Sequence, residues 1–141
     1  MPGRRVEELV KLAPSMTDAK THYLAGLKLF GQNQFEESIA EYRLALEQKP
    51  DWADVLHALA TAQSKLGRQE EAIATLQRVI ELTPNDAFAF TSLSIFLQRQ
   101  GKVPEAVSAA AKARMLSWKE ELKKNPNAPP PGPPGGMSVV Q

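Results

Sequence analysis

The sequence predicts an all-α solenoid of three helix-turn-helix repeats, and three observations carry that expectation. Residues recur at a spacing of 34: Pro50 with Pro84, Ala53 with Ala87, Leu59 with Leu93, Gly67 with Gly101, and Ala72 with Ala106. Whole columns follow the same spacing, Glu37/Glu71/Glu105 and Ile39/Ile73/Val107, and a period of this length marks a repeat architecture. Within a period the apolar residues take helical spacing twice, as in Leu56, Leu59, Ala60 and Leu66, then Ile73, Leu76, Val79 and Ile80.

Residues 1–18 are expected to form an N-terminal capping helix. The stretch 4–12 is amphipathic, with Val6, Leu9, Val10 and Leu12 inward, and a short helix pair cannot bury its own apolar face, so an end needs a cover. The first repeat is read over 19–52, the second over 53–86 and the third over 87–120. Gly67 and Gly101 stop the first helix of their copies, and Asn33 holds the matching place in the first, because these residues tolerate the positive φ of a helix end. The pairs Glu36/Glu37 and Glu70/Glu71 open the second helices, where carboxylates meet the positive end of the helix dipole. Pro50 and Pro84 stop those helices.

Ser117 with Glu120 forms a capping-box pattern, so a last short helix over 118–124 would lay Trp118 and Leu122 across the third repeat; continuation of the preceding helix to Lys124 is the rival reading. From 125 to 141 the composition turns to NPNAPPPGPPGGMSVVQ, expected to be a disordered tail rich in Pro and Gly. A sharper reading makes it a docking tail for a proline-recognising partner, or a segment that folds back into the chain's own groove.

Composition bounds the function. The 141 residues suit one domain, with 43% hydrophobic and 23% charged residues. A net charge of +1 gives no field to attract nucleic acid, and the absence of Cys removes disulfides and thiolate chemistry. The N-terminus breaks its apolar residues with Glu7, Glu8 and Lys11, unlike a signal peptide, and no run approaches a membrane span, so a cytoplasmic protein without membrane insertion is expected.

These residues resemble the tetratricopeptide repeat family, over about 100 positions. The resemblance implies antiparallel helix pairs stacked into a right-handed superhelix. The family's small residues fall on Gly26, Ala60 and Ser94 and on Ser38, Ala72 and Ala106, where they let paired helices approach. The first copy departs from the pattern at His22 and Ala25, and the third has Trp118 in place of the terminal Pro. The family binds peptides or helices along the concave face of its first helices. Carried over by position, that groove would present Lys20, Tyr23, Leu27 and Phe30; Asp54, His57, Thr61 and Lys65; and Phe88, Thr91, Ser92, Ile95 and Arg99. The subgroup that grips chaperone carboxylates needs Lys, Asn and Arg where this chain has Tyr23, Leu27, Ala58, Phe88 and Ser92, so that ligand is not expected.

No catalytic constellation is visible. His22 and His57 fall on different helix pairs without zinc-ligand company; His22 reads as a packing residue and His57 as a groove hydrogen-bonding residue. Neither an enzyme nor a cofactor is expected. The expectation is a protein-binding adaptor or scaffold. The alternative is a self-assembling subunit, a homo-oligomer built through Ala106, Ala109, Ala110 and Ala113 and through opposite charge at its ends, residues 19–86 having 7 basic and 10 acidic side chains and 87–141 having 7 and 3.

Overall fold

The computed structural model describes residues 15–132, with side chains from Asp18 onward. Six helices follow one another: α1 (Ser15–Gly31), α2 (Phe35–Gln48), α3 (Ala53–Lys65), α4 (Gln69–Leu82), α5 (Ala87–Arg99) and α6 (Val103–Lys124). There is no strand among the described residues. α1/α2, α3/α4 and α5/α6 form the pairs; neighbouring pairs join where α2 meets α3 and α4 meets α5, and the first helices also touch, α1 with α3 and α3 with α5. This is the three-pair solenoid that the repeat requires.

One turn closes all three pairs. Asn33, Gly67 and Gly101 have φ of 63°, 80° and 79°. The next residue's N–H reaches back five positions, Gln34 to Leu29, Arg68 to Gln63 and Lys102 to Leu97, at 2.9–3.0 Å. The left-handed residue donates three positions back, to Phe30, Ser64 and Gln98. These paired bonds satisfy carbonyls that a helix end would otherwise leave unpaired.

The small residues do what close packing asks of them. Ser38 Oγ donates to the Gly26 carbonyl at 2.9 Å, and Ser94 Oγ to that of Ala106 at 2.8 Å. Gly26 lies against the fully buried Tyr42 ring, and a Cβ built there would stand 2.4 Å from the ring. The core runs the length of the stack. Ile39, Tyr42, Val55 and Leu59 fill the α2–α3 side, Leu56, Leu76, Val79 and Phe96 the α4–α5 side, and Leu46 packs against both.

Both ends depart from the expected repeat boundaries. The expected capping helix over 4–12 lies outside the described residues, and α1 begins at Ser15, ahead of the expected repeat boundary at 19. There is no separate helix over 118–124: α6 runs unbroken to Lys124, as in the rival reading, past the boundary at 120. The cause is the missing proline. Trp118 occupies the place of Pro50 and Pro84 and permits two more turns, until Pro126 follows the C-cap Asn125. The tail also begins differently from a disordered segment. Residues 125–132 are placed, Ala128 is buried, and Trp118 Nε1 donates to its carbonyl at 3.1 Å. Residues 133–141 lie outside the description.

Candidate functional site

The groove forms chiefly between α3 and α5, with one wall residue from α1. Its volume is about 600 Å³, and Tyr23, Asp54, His57, Thr61, Lys65, Phe88, Ser92, Ile95 and Arg99 line it. Ala58, Asp86 and Phe96 complete the lining.

His57 is the centre. Its Nε2 lies 2.8 Å from Ser92 Oγ, a bond that ties the second repeat to the third, while Thr61 Oγ1 donates to its carbonyl at 3.0 Å. Burial holds the imidazole below its usual pKa, with Asp86 and Asp54 pulling the other way. Burial disfavours the charged ring. Phe88 stands over the imidazole at 5.3 Å between ring centres and is 70% exposed. Asp86 explains Phe88's place: as N-cap of α5 its side chain accepts from the Phe88 N–H at 2.9 Å, fixing the turn that carries the ring.

The groove is electrically polarised along the helices. Asp54 lies in the first turn of α3 and Asp86 caps α5, whereas Lys65 and Arg99 lie in the last turns of the same helices. Arg99 Nη1 donates to Ser64 Oγ at 2.6 Å, and Ser64 donates in turn to Gln69 Oε1 at 2.8 Å. The cation is thus held across two repeats. From Asp54 to Lys65 the helix rises about 16 Å, the span of about five extended residues.

Four expected residues do not join this groove. Lys20 and Leu27 are exposed on α1 and do not line the cleft, to which α1 contributes Tyr23. Phe30 packs edge-on to Phe35 at 5.1 Å and into the core. Thr91 bonds the Ala87 carbonyl and faces the α6 side, the face of α5 that a further repeat would cover. Tyr23 lines the wall yet belongs to the core, 5.0 Å from Trp52 and 6.2 Å from Tyr42, and its hydroxyl pKa is raised by burial and then by Asp54. Asp86 was missed although Asp immediately before an apolar helical run is an N-cap signal. His22 packs as a half-exposed residue with its Nδ1 2.6 Å from Glu41 Oε2. Among the described residues no cluster of three or more His, Cys, Asp or Glu is placed to hold a metal, and no helix is long and apolar enough to cross a membrane.

Stacked helix pairs with a groove along their inner helices define a class, the helical-repeat solenoid. Residues 29–94 match the family model of the tetratricopeptide repeat, so the span from the end of α1 into α5 is tetratricopeptide repeat. It is 27% identical over 110 residues to DnaJ homolog subfamily C member 3 of Bos taurus, an alignment of 78% of this chain but 20% of that protein, so the chain spans about a fifth of that relative's length. In fold it is similar to MamA, with a TM-score of 0.72 at 21% identity over 77% of this chain and 63% of that one. It is similar also to the first tetratricopeptide domain of Spaghetti (RPAP3) bound to the HSP90 peptide SRMEEVD, with a TM-score of 0.69 at 19% identity over 77% and 90% of the two chains.

Proposed function

We propose that the chain is a non-enzymatic adaptor that binds an extended peptide or a helix of a partner protein in the α3–α5 groove. One observation carries the reading: Phe88 stands 70% exposed beside the His57–Ser92 bond, at the mouth of the α3–α5 groove. An exposed aromatic ring beside desolvated polar groups is the usual make-up of a binding hot spot. The acidic and basic ends favour a ligand with a positive group toward Asp54 and Asp86 and a negative one toward Lys65 and Arg99. A fold neighbour bound to a peptide supports the peptide class.

Chaperone-tail capture remains outside this proposal, because the carboxylate-gripping places hold Tyr23, Leu27, Ala58, Phe88 and Ser92. A cytoplasmic site of action goes with the same reading. Self-assembly through the alanine face is less favoured, since Ala106, Ala109 and Ala113 are buried within the chain.

The test is a peptide selected from a random library against the full chain. Phe88→Ala should weaken its binding by about tenfold or more, as loss of a hot-spot ring does, with thermal stability unchanged. Equal affinity for the variant would remove the groove reading.

A further inference from the structure

The end of the described chain repeats a pattern and then departs from it. Lys49, Thr83 and Asn125 are C-caps with φ of −138°, −135° and −137°, and each precedes a proline. Each carbonyl accepts from the residue three positions on: Trp52 at 3.3 Å, Asp86 at 3.1 Å and Ala128 at 3.0 Å. A new helix starts after Trp52 and after Asp86. After Ala128 come Pro129, Pro130 and Pro131. Proline pushes the residue before it out of the helical region and has no N–H to donate, so an extended polyproline strand follows where a fourth repeat would begin.

That strand lies on the open end of the solenoid. Ala128 is 8% exposed, its carbonyl takes the Trp118 indole N–H at 3.1 Å, and Pro129 and Pro131 form one wall of a groove of about 610 Å³. Trp118, Ile95, Ala110 and Ala113 line the groove, as does Arg114, whose buried Nε has no partner among the described residues. The volume lies within the roughly 300–1,000 Å³ of ligand clefts, so the strap walls the groove without filling it.

An aromatic N–H donor beside apolar side chains, here Trp118 beside Ile95, Ala110 and Ala113, is chemistry that recognises polyproline: the stiff strand loses little entropy on docking and offers carbonyls that its own backbone cannot pair. We propose that the α5–α6 end groove is a second binding site, for extended proline-rich segments of other proteins, and that Ala128–Pro131 takes up one side of it in cis. Tethering gives the strap an effective concentration in the millimolar range, so a competing segment gains entry when the strap is displaced. This site adjoins the α3–α5 groove at Ile95, on the opposite side of α5, and is tested independently of it.

The test uses the full chain with Trp52→Phe, which leaves Trp118 as the only tryptophan of the two. Ala128→Glu places a charge at the buried strap position and should shift Trp118 emission to the red and raise its quenching by acrylamide. A synthetic peptide with the sequence of residues 125–132 should reverse both changes, an analogue with alanine for each proline should not, and the parent carrying the seated strap should respond far less. If Ala128→Glu lowers helical circular dichroism, the Pro129→Ala/Pro131→Ala pair replaces it. Unchanged quenching in the strap variants overturns the cis seating. Quenching that rises and that peptide does not reverse overturns the site and leaves an intramolecular cap.

Discussion

Two aromatic rings face one groove and do different work. Tyr23 enters from α1 with its edge on Trp52 and its face tilted to Tyr42, so most of what it touches is core. Phe88, from the start of α5, meets the His57 ring and otherwise faces solvent. Both places looked alike as groove aromatics. The difference comes from neighbours: the Tyr23 wall closes against Trp52, which leads into the second repeat, whereas Phe88 emerges at a capped turn with nothing above it. Aromatic content alone does not make a recognition surface.

Four variants probe that contrast, in descending order of effect. Tyr23→Ala should lower unfolding free energy by about 2–4 kcal/mol, within the range for large-to-small core changes, measured by urea denaturation. An effect as small as that of a surface change would show that the Tyr23 wall is not structural. Gly26→Ala forces a methyl into the Tyr42 ring that supports Tyr23 and should cost about 1–3 kcal/mol, as overpacking does. Equal stability would mean that the α1–α2 joint has slack the close approach does not suggest.

His57, on α3 against the Phe88 ring, gives a pH signature. Burial lowers its folded-state pKa, so on acidification the unfolded chain takes up the proton first, from about pH 6.5. Stability should be flat above that value on this account and fall below it. His57→Gln, which retains a partner for Ser92, should reduce the slope; identical pH profiles for parent and variant would mean that the ring is not held neutral. Phe88→Ala should change stability least, within about 0.5 kcal/mol, by thermal denaturation, and a larger loss would make both ends structural.

The fold was legible because the backbone makes specific demands. Three turns need positive φ, and Asn33, Gly67 and Gly101 announce them. Gly26 and Ser38 mark a joint whose helices come close enough for a side-chain-to-carbonyl bond. The centre of the groove was legible as well, since His57, Thr61, Ser92 and Arg99 share helix faces fixed by the repeat. What depends on a missing neighbour was not. Thr91 occupies the repeat position of Tyr23 and His57, yet among the described residues no further helix pair stands beside α5, so it lines the end face. The unbroken α6 was legible only as a rival reading: it follows from one absent proline, against which stood a capping-box pattern at Ser117 and Glu120. Trp118 meeting Ala128 is a tertiary contact that no local spacing encodes.

The central claim is that partners bind along the inner helices, and backbone amide chemical-shift mapping tests it most directly. On titration with a library-selected peptide, shifts should concentrate at His57, Thr61, Phe88, Ser92 and Arg99, on α3 and α5. Shifts confined to α2, α4 and α6, with the α3–α5 groove silent, would contradict it.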